Sequence, residues 1–210
     1  MKIAFLFPGQ GAQYVGMGKE LYNNYSIVKD VFDRADEILG ESLSELIFDG
    51  RDIELIRTEN TQPGILTLST AIAKLLESLG VSPCITAGLS LGEYVALTYS
   101  GVIPFENSLP LVRKRGQFME EAVPAGKGGM AAIIGLDEDK LNACLSDDTV
   151  SGVVEIANYN CPGQLVISGE IDSVEKACEI AKLSGAKRAI PLQVSGPFHS
   201  SLLKPASEKL

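Results

Sequence analysis

Ala87-Gly88-Leu89-Ser90-Leu91-Gly92-Glu93-Tyr94 sets a G-x-S-x-G pattern between a short apolar run and an amphipathic segment. That is the outline of a nucleophile elbow, in which a strand turns sharply into a helix and the tight backbone excludes Cβ atoms on either side of the serine. Such a turn lifts Ser90 Oγ to a helix N-terminus, where unpaired N–H groups and the positive end of the helix dipole stabilise developing negative charge. The flanks agree. Residues 81–87 (V-S-P-C-I-T-A) read as a short buried strand, and Leu91, Val95, Ala96 and Tyr99 recur at helical spacing up to Gly101. The same eight residues also suit a tight strand-to-helix turn whose serine merely faces solvent.

The rest of the composition narrows the choice. A chain of 210 residues, 45% of them hydrophobic, can bury a full core as one large domain or somewhat more. The stretch ahead of Pro8-Gly9 is too short for a signal-peptide core or a membrane span, so a soluble, cytoplasmic protein is expected. Cys84, Cys144, Cys161 and Cys178 are spread without a C-x-x-C pair, which predicts buried thiols and neither a zinc site nor a disulfide framework. A net charge of −9 without a long basic run excludes nucleic acid as a general partner. Arg113-Lys114-Arg115 and Lys187-Arg188 are the compact cationic clusters that a phosphate or an acidic partner could use, and a solvated face is the alternative.

Taken in order, residues 2–7 predict a strand and residues 8–13 a loop in which Gly9 and Gly11 let the backbone pass close to another group. Two glycines without a third, and no G-x-x-x-x-G-K-[ST], argue against a nucleotide site. Residues 27–39 carry apolar side chains at helical spacing and end at Gly40. Thr61-Gln62-Pro63 is expected to open the next helix, with Pro63 in its first turn and Gly80 at its close. Residues 104–121 predict a helix in which Arg113, Lys114 and Arg115, on successive positions, cannot all face one ligand.

From Gly126 the pattern changes to strands over 130–136, 153–159, 164–168 and 188–194, with helices over 137–144 and 172–183. A β-α-β-β-α-β order predicts a ferredoxin-like unit, with a continuous extension of the first sheet as the alternative. The fold expected is therefore α/β, with residues 1–124 and 195–210 forming a hydrolase-like domain on a parallel sheet. Residues 125–194 would be an inserted ferredoxin-like subdomain, hinged at the glycines of 126–129 and at Ser195-Gly196-Pro197.

His199 is the single histidine in the chain. A serine needs a base to lose its proton at neutral pH, and imidazole is suited to that work. A lone loop histidine is otherwise structural or solvated, but serine followed by histidine is the order in α/β-hydrolase chains. The eleven residues after His199 supply no evident acid partner.

Several segments together resemble the malonyl-CoA:acyl carrier protein transacylases. Phe7-Pro8-Gly9-Gln10-Gly11-Ala12-Gln13, Thr58-Glu59-Asn60-Thr61-Gln62-Pro63 and Gly88-Leu89-Ser90-Leu91-Gly92-Glu93-Tyr94 are similar to successive motifs of that family. So are Val112-Arg113-Lys114-Arg115-Gly116-Gln117-Phe118-Met119, Asn158-Tyr159-Asn160-Cys161-Pro162-Gly163-Gln164 and Gly196-Pro197-Phe198-His199-Ser200. The resemblance implies that Ser90 attacks a malonyl thioester, that His199 is base and then acid, and that the N–H groups of Gln10 and Leu91 form the oxyanion hole. It implies that Arg115 holds the free malonyl carboxylate, a task suited to a planar guanidinium, with Gln62, Asn160 and Phe198 also lining the substrate site. Malonyl-CoA and acyl carrier protein would be the partners, in fatty acid or polyketide synthesis, with no metal, no cofactor, no membrane and no nucleic acid. A serine hydrolase or thioesterase, or a catalytically impaired CoA- or carrier-binding module, are the alternatives. Two departures stand out: Leu89 replaces the family's usual histidine, which is expected to tune specificity, and the family runs on well beyond Leu210. The segment beyond carries a strand of the large sheet and the glutamine or asparagine that orients the histidine, which this chain is therefore expected to lack.

Overall fold

The computed structural model describes residues 2–124, 126–192, 194 and 196–210. It divides into two compact units, Met1–Gln117 and Phe118–Leu210. The expected boundary positions Ala125 and Ser195, and Gln193 within the strand expected over 188–194, lie outside the described residues.

The first unit contains β1 (Ala4–Phe7), α1 (Lys19–Asn24), α2 (Ser26–Leu39), α3 (Leu43–Asp49), α4 (Asp52–Leu55), α5 (Thr58–Ser78), β2 (Ile85–Gly88) and α6 (Leu91–Tyr99), and α7 (Phe105–Ala122) as far as Gln117. Helix α2 buries Val28, Val31, Phe32 and Ala35, a stripe recurring every three to four residues, and ends at Gly40 with φ +67. Phe32 packs with Ile47, Leu66, Leu91, Val95 and Leu109 in one apolar cluster. Strands β1 and β2 are parallel neighbours.

In the second unit β3 (Gly128–Ile134), β4 (Val154–Cys161), β5 (Gln164–Glu170) and β6 (Arg188–Pro191) form a separate antiparallel sheet in the order β4-β5-β3-β6. Helices α8 (Glu138–Leu145) and α9 (Ile171–Leu183) connect them, and a 3-10 turn (Ser201–Leu203) and α10 (Lys204–Lys209) follow. The Asp137 carboxylate accepts the Lys140 N–H at 2.9 Å and caps α8. Alternation along the strands gives the sheet two apolar faces. Ala131, Ile133, Leu165 and Ile167 pack against Leu141, Val174, Ala177 and Ala181 of the helices. Met130, Ala132 and Val166 pack against Met119, Phe198, Leu203 and Ala206.

Several expectations need correcting. Helix α5 starts at Thr58, which places Pro63 inside it instead of in its first turn. That earlier start is stapled in place: the Asn60 amide donates to the Glu54 carbonyl at 2.9 Å and the Thr61 hydroxyl to the Leu55 carbonyl at 2.5 Å. The strand before the elbow spans only Ile85–Gly88 and is not buried, because its single strand neighbour is β1, and Ile85 is 63% exposed. Strand β6 spans only Arg188–Pro191, although the Leu192 N–H still donates to the Met130 carbonyl at 2.9 Å. Cys144 and Cys178 are buried, but Cys84, ahead of β2, and Cys161, at the end of β4, are exposed. Among the described residues no helix is long and apolar enough to cross a membrane.

Strand, turn and helix meet at the G-x-S-x-G segment. Phe7 is the register partner of Gly88, and the Leu89 N–H donates to the Phe7 carbonyl at 3.1 Å. A Cβ on Gly88 would lie 1.9 Å from the Gly92 carbonyl carbon, and one on Gly92 would lie 2.2 Å from the Phe7 carbonyl oxygen. Both contacts are with backbone, so nothing can rotate aside. Helix propensity alone would make alanine at position 92 better by about 1 kcal/mol. The clash outweighs that gain: we expect Gly92→Ala to lower stability by about 2–4 kcal/mol, read from urea unfolding, and a rise in the midpoint would show that the elbow backbone yields instead.

Candidate active site

Ser90 is the residue on which the turn closes, with φ 52 and ψ −106 just ahead of α6. A side chain in this region is sterically disfavoured, and such strain gathers where the surrounding structure forces it for function. Among the described residues, Ser90 and His199, with φ 52 and 61, are the non-glycine residues with positive φ. Leu91, next after Ser90, is the first residue of α6, where the leading N–H groups of a helix have no intrahelical acceptor.

Arg115 reaches the serine from α7. Its Nη2–H donates to Ser90 Oγ at 3.1 Å and its Nη1–H to Gln62 Oε1 at 2.9 Å. The guanidinium carbon lies 5.4 Å from the centre of the Tyr94 ring, within cation–π range. Gln62 is fully buried, one turn into α5. Loss of hydration pulls the Arg115 guanidinium below its ordinary value, opposed by Tyr94 and by the Glu93 carboxylate. It stays a cation all the same. Successive positions on α7 do point apart: Lys114 is exposed, and Arg113 forms an ion pair with Glu41 instead.

Helix α7 comes this close to α5 through Gly116, where a Cβ would lie 2.7 Å from the Glu59 Cα and N and from the Thr58 carbonyl. Gln117 adds a hydrogen bond to Glu59 at 3.2 Å. Gln10, on the loop after β1, is half-buried, and its side-chain amide approaches the Thr58 hydroxyl at 3.5 Å. Leu89, beside the serine, is 55% exposed.

The remaining candidates lie in the second unit. His199 is exposed, between the buried Phe198 and Ser200. Phe198 belongs to the apolar cluster with Met130, Val166 and Leu203. Asn160 is exposed near the end of β4. Ser90, Gln62 and Arg115 are thus gathered by one unit, while His199, Phe198 and Asn160 are presented by the other.

Sequence reasoning missed Tyr94 and Gly116. Tyr94 stands one helical turn after Ser90, a spacing that puts both on one face of α6. Gly116 is a glycine inside a helical pattern, and such a residue signals a close packing contact.

Comparison with known proteins places the chain in a family. The family model for the acyl transferase domain matches residues 4–210. The malonyl CoA-acyl carrier protein transacylase of Bacillus subtilis is 56% identical over all of this chain, which covers 66% of that protein. A crystal structure of the acyl-carrier-protein S-malonyltransferase of Burkholderia pseudomallei 1710b superimposes with a TM-score of 0.93 at 52% identity, covering 100% of this chain and 68% of that one. A malonyl-transacylase solved in complex with its type II PKS acyl-carrier protein gives a TM-score of 0.95 at 43% identity, with the same coverage. The chain spans about two thirds of the length of the curated relatives it matches. With a family model matched from residue 4 to residue 210 and relatives about half identical over the whole chain, the chain belongs to the acyl transferase family, among the malonyl CoA-acyl carrier protein transacylases.

Proposed function

We propose that the chain transfers malonyl from malonyl-CoA to the phosphopantetheine thiol of an acyl carrier protein through a malonyl-Ser90 ester. The observation that carries this reading is the Arg115 guanidinium 3.1 Å from Ser90 Oγ. An acyl group esterified there that ends in a carboxylate meets a cation within a short reach, whereas an acetyl group leaves that cation without its anion. Charge-assisted pairing of guanidinium and carboxylate is strong and directional.

In the proposed cycle His199 takes the Ser90 proton as Oγ attacks the thioester carbonyl, and the C–S bond breaks as His199 returns the proton to the departing CoA sulfur. The carrier thiol then reverses these steps and frees Ser90. The N–H groups of Gln10 and Leu91 would hold the oxyanion, a role supported by Leu91 at the first position of α6. Gln62 would keep Arg115 aimed, and Asn160 and Phe198 would line the substrate path. The complex of a related transacylase with its carrier protein supports the choice of acceptor. Chemistry without metal or cofactor, in the cytoplasm, completes the proposal.

We also propose a hydrolase-like domain formed by 1–124 and 195–210, with a ferredoxin-like insertion at 125–194. Its support is the parallel β1–β2 pair feeding the elbow, and the β4-β5-β3-β6 order with two connecting helices on one face.

Malonyl-CoA should label the chain at Ser90, seen as an acyl adduct by peptide mass spectrometry and absent from Ser90→Ala. Free malonate released without a carrier would favour a thioesterase, and binding without label an inactive module. Arg115→Ala should lower malonyl transfer by about 100-fold and narrow the preference over acetyl-CoA correspondingly. Equal losses for both substrates would remove the carboxylate role. Since burial makes the Arg115 charge costly, Arg115→Met should raise the unfolding midpoint while abolishing malonyl selectivity. A lowered midpoint would show that the hydrogen bonds to Gln62 and Ser90 outweigh desolvation.

A further inference from the structure

The segment that carries His199 lies against the second unit's sheet, on the face away from α8 and α9. Pro197 packs so closely over Gly128 that a Cβ there would come within 2.4 Å of its ring. Phe198 fills the cluster with Met130, Ala132 and Val166. Ser200 is buried and its hydroxyl donates to the Pro197 carbonyl at 2.8 Å, while the Leu203 N–H returns to the Ser200 carbonyl at 3.0 Å. His199, between them, is exposed and holds φ +61. Apolar packing fixes the approach to the turn from Pro197 and Phe198. Its exit is fixed by a carboxylate: the Ser201 N–H donates to Glu155 Oε2 at 2.8 Å, and the Ser201 hydroxyl donates to Glu155 Oε1 at 2.6 Å.

We infer that Glu155, on β4, is a positioning residue that holds the His199 turn by gripping Ser201 with both carboxylate oxygens. A positive φ at a residue with a Cβ is strained and persists only where the surroundings over-determine it. Two hydrogen bonds to one charged acceptor supply such a constraint two residues beyond the histidine. Glu155 sits in the paired part of the sheet, opposite Ser168 of β5, so the grip is referred to a rigid frame. This inference rests on the reading of His199 as the base: a base displaced by about 1 Å loses on the order of 100-fold in rate.

The single histidine makes the test direct, since its imidazole and Cα signals are unambiguous in an NMR spectrum of histidine-labelled chain. In the unaltered chain the His199 Cα shift should be that of a left-handed residue. In Glu155→Ala it should move toward ordinary extended values while the Ile133 and Ile167 amide signals stay in place. Malonyl transfer should fall 10- to 100-fold in kcat with KM for malonyl-CoA unchanged. Glu155→Gln, which keeps the acceptor for the Ser201 hydroxyl, and Ser201→Ala, which keeps the backbone bond, should each lose less. His199 signals and kcat that do not move in Glu155→Ala would overturn the inference. Should Glu155→Ala fail to fold, an unchanged His199 shift and unchanged kcat in Ser201→Ala would do the same. If the unaltered chain transfers no malonyl, the acyl-transfer reading fails, and the NMR shifts still decide whether Glu155 holds the turn.

Discussion

The close approach of three backbone segments, the end of β1, the end of β2 and the first turn of α6, is the constraint on which the site depends. Gly88 and Gly92 permit it, for a Cβ on either would fall inside the van der Waals radius of a carbonyl group. With the strands paired at Phe7 and Gly88, the chain has two residues, Leu89 and Ser90, in which to pass from extended to helical geometry, and the left-handed one carries the reversal. That residue is Ser90, and its unfavourable φ follows from the closure. The serine is thereby held up at a helix N-terminus, with little freedom to turn away.

The same physical device recurs at His199. There a side chain and not backbone makes the close crossing, Pro197 over Gly128, and the left-handed residue is bracketed by side chains that are buried or hydrogen-bonded on both sides. Ser90 and His199 thus both sit at points where the backbone is forced by neighbours, one by strand-to-helix packing and one by a loop pinned to a sheet. In each case the strain is local and the restraint comes from well-packed elements, α6 among the cluster of Leu91 and Val95 and the sheet through Met130 and Val166. Preorganisation of this kind lets a site spend no binding energy on ordering its own groups.

How far the sequence reveals this differs from element to element. The elbow was legible because its glycines are a steric requirement written in five residues. The strands and helices of the second unit were legible to within a few residues because alternation and helical spacing report burial directly, and the antiparallel order confirmed a sheet separate from β1–β2. The start of α5 was not, because it is set by bonds from Asn60 and Thr61 to carbonyls of α4, and tertiary contacts of that kind leave no local pattern. The exposure of Cys84, Cys161 and Ile85 was misjudged for a related reason: residue type gives an average tendency, while burial depends on which elements cover a strand. Arg115 was singled out by resemblance alone. Its spacing says only that Arg113, Lys114 and Arg115 diverge, and Gly116 decides which of them enters, by letting α7 cross the start of α5.

That crossing also explains why the site takes an arginine despite its cost. Removing a cation from water costs several kcal/mol even after relaxation, and the groups that touch Arg115 are the neutral Gln62 amide, the neutral Ser90 hydroxyl and the Tyr94 ring, with the Glu93 carboxylate acting as a further charge. Two hydrogen bonds from a charged donor and one ring contact recover part of that loss, while burial still pulls the guanidinium below its ordinary value. In the proposed cycle a carboxylate delivered on the acyl group would remove the deficit, and a neutral acyl group would leave it standing. Under the proposed function, selectivity would arise from a guanidinium only partly satisfied in the free protein, so that the charge on the substrate would be worth most at the position where the ester forms.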